Sequence, residues 1–144
     1  MQKRAVSYEY ISFIVDLLAQ RVNINCDHVI GIGRGGLIPA TMLAYKLNKK
    51  VTIFGISTFN GTKREDAHYI YQEPVIVPGS KYLIVDDICD SGNTFKIFKN
   101  LYKESGAIFE YAALFAKDSS SHFVDHYGIS ISDDIWVSFP WEDN

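Results

Sequence analysis

The run Tyr82-Leu83-Ile84-Val85, followed at once by Asp86-Asp87 and shortly after by Asp90-Ser91-Gly92-Asn93-Thr94, constrains the fold more than any other part of this chain. Unbroken apolar residues of this kind suit a central parallel strand covered on both faces. Open α/β sheets gather their ligands at the carboxyl ends of such strands, where Asp86 and Asp87 stand. The short polar residues and Gly92 then lead into a helix. Backbone N–H groups and the helix dipole favour an anion there.

The rest of the chain repeats the alternation of strand and helix. Ser7 caps a first helix, with Tyr10, Phe13, Ile14, Leu17 and Leu18 on one stripe. Val29–Ile32 reads as a buried strand. Gly33-Arg34-Gly35-Gly36 reads as a turn, and Pro39 sits in the first turn of the helix that carries Leu37, Met42, Leu43 and Leu47. Val51–Ile56 is a further strand. Periodicity is lost from Ser57 to about Pro78, a connection long enough to be functional or a mobile hairpin. A helix with Phe95, Phe98, Leu101 and Tyr102 ends near Gly106, and Ile108–Phe115 is the next strand. A short strand and an irregular tail close the chain. This order predicts an α/β fold with a parallel sheet.

The paired acids set the chemistry of the loop. Like charges repel, so Asp86 and Asp87 are poor phosphate ligands and suit sugar hydroxyls or a metal ion. Carboxylates for a ribose beside amides for its phosphate make a ribose-5-phosphate site. No lysine follows Gly92, so a Walker-type loop fits poorly. Gly33-Arg34-Gly35-Gly36 offers an arginine fork and approachable backbone, a second anion site at the same sheet edge.

Bulk properties exclude several classes. The 144 residues suit one domain of ordinary size. A net charge of −3 with scattered basic residues argues against a nucleic-acid binder. No apolar run reaches the length of a membrane span, and Tyr8-Glu9-Tyr10 and Asp16 interrupt any secretory pattern after Lys3-Arg4. Cys26 and Cys89 lack metal-ligand spacing, which points to a reduced, cytoplasmic setting with Cys89 a spectator thiol. His122 and His126 have no HExxH setting; with His28 and His68 they read as structural or solvent-facing.

The Tyr82–Thr94 segment resembles the phosphoribosyl-pyrophosphate (PRPP) loop of type I phosphoribosyltransferases. Gly33-Arg34-Gly35-Gly36-Leu37-Ile38-Pro39-Ala40 is similar to the pyrophosphate loop of bacterial xanthine-guanine phosphoribosyltransferases. Leu114-Phe115-Ala116-Lys117, Val124-Asp125-His126-Tyr127, Asp134-Ile135-Trp136 and Pro140-Trp141 continue that similarity, from about Val29 to Glu142. The resemblance implies a type I phosphoribosyltransferase fold. Its central parallel sheet is flanked by helices, with a flexible lid at about 57–78 and a C-terminal hood at about 117–144.

It also implies purine salvage: transfer of 5-phosphoribosyl from PRPP to N9 of guanine, xanthine or hypoxanthine, with Mg2+ held at Asp87. PRPP would meet Asp86, Asp87, Asp90, Ser91, Gly92, Asn93, Thr94, Arg34, Gly35, Gly36 and the lid residue Arg64, with Lys63 beside it. Asp90 and Arg34 would be catalytic. Lys117 would bond the 6-oxo group, Trp136 stack on the purine, and backbone groups of Trp136 and Val137 meet the substituent at purine position 2. A non-proline cis peptide before Arg34 is implied in at least some states, and a homo-oligomer is expected. The chain ends at Asn144, where the family usually continues, so the hood over the purine is expected to be incomplete. Two alternatives fit the same resemblance. One is a PRPP-sensing regulator that binds nucleic acid, against which the acidic balance speaks. The other is a transferase for another base, such as a pyrimidine, against which Lys117 and Trp136 speak.

Overall fold

The structure, a computed structural model, describes residues 1–22, 25–58 and 68–142. In chain order it runs β1 (Gln2–Ala5), α1 (Tyr8–Arg21), β2 (His28–Ile32), α2 (Gly33–Leu47), β3 (Lys50–Thr58), β4 (His68–Gln72), β5 (Lys81–Cys89), α3 (Asn93–Leu101), β6 (Ile108–Lys117), β7 (His126–Ile131) and β8 (Ile135–Ser138). The main sheet has the order β4-β3-β2-β5-β6-β7. All its pairs are parallel except β3 with β4, which is antiparallel. The aperiodic stretch from Ser57 to about Pro78 contains β4, which pairs antiparallel with β3.

Each central strand sends alternate residues to opposite faces. Val29, Leu83, Val85, Ala112 and Leu114 join Ile11, Ile14 and Leu18 of α1 and Ala40 and Leu43 of α2 in one core. Ile30, Ile32, Ile84, Tyr111 and Ala113 join Phe54 and the α3 residues Phe95 and Phe98 in the other. Burial on both faces accounts for the unbroken apolar run of β5. The chain leaves β2 through α2 toward β3, and leaves β5 through α3 toward β6, on the opposite face. The order of the sheet thus reverses between β2 and β5, and their carboxyl ends flank the crevice in which such sheets bind ligands.

Several local expectations change. The buried stripe of α1 is Ile11, Ile14, Val15 and Leu18, while Tyr10 and Phe13 are exposed. Both stripes have helical spacing, and the branched aliphatic one packs against the sheet. Ser7 does cap α1, accepting from the Tyr10 N–H at 3.1 Å. The glycines after β2 belong to α2, so Pro39 lies inside that helix rather than in its first turn. β1 was not foreseen. It pairs in parallel with β8, aligning Lys3 with Trp136 and Arg4 with Val137. Of the residues expected in the hood, His126–Ile131 form the edge strand of the main sheet; β8 with β1 makes a separate two-stranded ribbon.

Candidate active site

Asp86 and Asp87 stand within the last turns of the pleat of β5, which runs on to Cys89. Asp86 is buried. Its Oδ1 accepts the Asp87 N–H at 2.8 Å and its Oδ2 accepts the Thr94 hydroxyl at 3.2 Å, tying the strand to the start of α3. Asp87 is half-buried, and its Oδ1 accepts the Ile88 N–H at 2.8 Å. Burial, then the charge of Asp87, pushes the Asp86 carboxyl well above the usual carboxylate range. Burial raises Asp87 as well, but there the hydrogen bond with Asp86 favours the charged form. The two carboxyls resist ionising together, and a first proton belongs to the pair rather than to either residue.

This raised acid has a consequence for stability. In the folded state Asp86 holds its proton to higher pH than in the unfolded chain. Its stabilising contribution is full below the unfolded value near 4 and is lost as pH rises through the folded value. Asp86→Asn keeps a similar shape without the charge. We expect it to melt above the wild type at pH 8, where the buried Asp86 carboxyl must otherwise keep a proton that the unfolded chain has lost. The gain should vanish as the pH falls toward 4. Melting curves across that range check this; equal wild-type and variant melting at pH 8 would refute it.

The glycines of α2 have a packing role that their sequence did not reveal. A Cβ on Gly36 would lie 2.7 Å from the Val85 carbonyl oxygen, and one on Gly35 would strike the Asp87 carboxylate. The bare backbone lets the start of α2 lie against the acids of β5. Arg34, next to them in that first turn, is exposed and has no ion-pair partner among the described residues. No peptide bond among the described residues is cis, so the bond before Arg34 is trans in this structure.

Beyond β5 the chain passes Asp90 and Ser91 into α3. Gly92 is the helix cap, in the left-handed region at φ 81°, and provides no side-chain hydrogen bond to the helix. Ser91 Oγ accepts the Asn93 N–H at 3.2 Å. No side chain of Gly92 caps the start of α3, the position at which the sequence places an anion.

Lys117 ends β6, beside the end of β5. Its side chain is 8% exposed and its Nζ lies 2.9 Å from Asp90 Oδ1, on a side chain that is 56% exposed. It is not a solvated strand-end lysine. An ammonium this buried persists only with a partner, and Asp90 is that partner. Trp136 on β8 is exposed at 49%, and no aromatic ring among the described residues packs on it. Val137 is buried. Trp141, by contrast, stacks on Phe139 at 4.9 Å and belongs to the core. Lys63 and Arg64 lie outside the described residues.

Glu142 escaped the sequence reading. Its Oε1 accepts the Phe139 N–H at 2.7 Å, and its charge contributes to raising Asp87. No spacing signal marks it, because the tail reaches the acids only through the fold. Cys89 is buried and its thiol is pushed up to about 11, chiefly by burial, which suits a spectator. His126 pairs with Glu110 and His122 is exposed, so neither histidine joins a metal cluster among the described residues. No helix among the described residues is long and apolar enough to cross a membrane.

The carboxyl ends of β2 and β5 bring the Gly33–Gly36 turn of α2 against Asp86 and Asp87. The chain belongs to the phosphoribosyl transferase domain family, whose profile matches residues 4–143. Xanthine-guanine phosphoribosyltransferase of Cereibacter sphaeroides is 33% identical over 79% of this chain and 68% of its own length. That of Gluconobacter oxydans is 36% identical over 79% and 67%. The crystal structure of a purine phosphoribosyltransferase from Pyrococcus horikoshii superposes with a TM-score of 0.86 at 27% identity, covering 100% of this chain and 97% of that one.

Proposed function

We infer that this protein is a purine salvage enzyme that transfers the 5-phosphoribosyl group of PRPP to N9 of a 6-oxopurine, releasing pyrophosphate. The observation that carries this reading is the buried Lys117 ammonium, 2.9 Å from Asp90 at the mouth of the anion loop. Guanine presents an acceptor, O6, where adenine presents a 6-amino donor. An ammonium there suits the 6-oxo group and opposes a 6-amino group.

In this reading the 5-phosphate rests on the amides of the Asp90–Thr94 loop, and Asp87 holds the ribose hydroxyls. Asp86, already bonded to Thr94, braces the loop. Trp136 offers its open face to the purine, and the backbone of Trp136 and Val137 meets the position-2 substituent. As N9 attacks the ribose carbon and the bond to pyrophosphate breaks, a base bound as its N7–H tautomer gives that proton to the Asp90 carboxylate. Arg34, with Arg64 of the lid, stabilises the charge on the leaving group.

A magnesium ion fits these residues. Two carboxyls that each resist ionisation suit a cation, and Mg2+ is commonly held by one or two carboxylates plus substrate phosphates. Asp87 would hold it, and it would neutralise and orient the pyrophosphate. A cytoplasmic setting and a homo-oligomer complete the reading. Two buried free thiols support the first, and light scattering of the purified protein tests the second.

Ultraviolet initial-rate assays of guanine, xanthine, hypoxanthine and adenine, each with PRPP and magnesium, test the function. At least one 6-oxopurine should be used, with adenine slower by a factor on the order of 10⁴, as for sites built to bond a polar substrate group. Comparable rates for adenine and the 6-oxopurines would overturn the reading.

A further inference from the structure

We propose that Phe123 is a positioning residue for the phosphate loop: its ring, beneath the Lys96 ammonium, backs Gly92, and its carbonyl, bonded by Lys99, ties the Asp90–Thr94 loop to the turn that follows Lys117. The proposal rests on the reading of that loop as the 5-phosphate site.

After Lys117 the chain folds tightly on itself. The Ser120 N–H donates to the Lys117 carbonyl at 2.9 Å, and the Phe123 N–H donates to the Ser120 carbonyl at 3.0 Å. Residues Ser121–Phe123 form a single 3-10 turn. This turn is fastened to the β5–α3 segment at several points. Lys117 meets Asp90 at 2.9 Å, and the Cys89 thiol donates to the Ser120 carbonyl at 3.3 Å. Lys99 donates to the Phe123 carbonyl at 2.9 Å, while the Lys96 ammonium lies 4.5 Å from the centre of the Phe123 ring. Lys96 and Lys99 are three residues apart, on one face of α3.

The ring itself fills the place that a side chain on Gly92 would take: a Cβ there would collide with it. Gly92 has positive φ, and a glycine is the residue least able to hold one conformation by itself. The Gly92 carbonyl accepts the Lys96 N–H at 3.0 Å, and the Phe123 ring packs against the side where a Cβ would stand. Anion binding at the start of a helix needs several N–H groups aimed together, so an unrestrained Gly92 would spread those directions before the ligand arrives. Preorganisation of this kind appears as affinity. Because the same turn begins at Lys117, the ring also fixes the distance between the phosphate loop and the purine edge.

Steady-state kinetics and calorimetry on the wild type, Phe123→Ala, Phe123→Leu and Lys99→Met test this, with a melting curve for each. Phe123→Ala should raise both the KM for PRPP and the Kd for PRPP with magnesium in the absence of base, by about tenfold. The KM for guanine should move by less than about threefold, and Phe123→Leu should restore most of the PRPP affinity. Lys99→Met leaves the ring in place but releases the turn, and should weaken PRPP in the same direction by about threefold. Should Phe123→Ala fail to fold, Lys99→Met and Phe123→Leu decide the matter. Folded Phe123→Ala or Lys99→Met protein with wild-type PRPP affinity, or with equal shifts for PRPP and guanine, would overturn the proposal. Wild-type protein that binds PRPP but transfers to no purine would instead overturn the proposed function, and the PRPP Kd series would still decide the role of Phe123.

Discussion

The double variant Asp86→Ala, Asp87→Ala is expected to lose phosphoribosyl transfer by a factor on the order of 10³ or more while remaining folded. In the proposed function Asp87 meets the ribose and the cation, and Asp86, which accepts the Thr94 hydroxyl, braces the loop assigned to the 5-phosphate. Removing both takes away the ribose contact, the cation contact and the brace together. The fold should survive because burial disfavours the charge of both carboxyls, so their loss removes no favourable buried charge. Initial rates and melting curves on the same preparation separate the two effects. A folded double variant with wild-type rates would remove these acids from the site.

Lys117→Ala should have the next largest effect, and a selective one. A hydrogen bond from a charged group is worth about 1.5–3 kcal/mol, or roughly 10- to 10²-fold, where that group contacts the substrate. We expect that loss in kcat/KM for guanine and hypoxanthine, with PRPP binding far less affected. Asp90, left without its partner, is more than half exposed and can hydrate, so the variant should fold. Trp136→Ala makes a useful contrast. Stacking of a base on an aromatic ring is worth about 1–3 kcal/mol and is present before the transition state as well as in it. Its loss should raise the KM for the base with little change in kcat. Unchanged purine kinetics in Lys117→Ala would mean that the base pocket lies elsewhere.

The parts of this site that were legible in the sequence are those built within a single stretch of chain. Strand, acids, glycine and helix follow one another from Tyr82 to Thr94, and the structure keeps that order. Periodicity was a weaker guide where two stripes overlap. In α1, residues Tyr10 and Phe13 share helical spacing with Ile14, yet only the neighbouring stripe through Ile11 and Val15 is buried. The glycines after β2 read as a turn because glycine is a poor helix former. They start a helix here because only bare backbone fits against Asp86 and Asp87. β1 carries no apolar pattern at all; its four residues are exposed, and it is ordered by its backbone pairing to β8. The contacts that make the site one unit were beyond sequence reasoning for the same reason. Lys117 with Asp90, Phe123 with Gly92, and Glu142 near Asp87 each join segments that only the sheet order brings together.

The most direct measurement of the central claim is a crystal structure with the product, guanosine 5′-monophosphate. Its phosphate should lie on the backbone amides of the Asp90–Thr94 loop, its ribose hydroxyls on Asp87, its 6-oxo group on Lys117 Nζ and its ring against Trp136. A nucleotide bound at another edge of the sheet, or one bound with its purine away from Lys117, would contradict the claim.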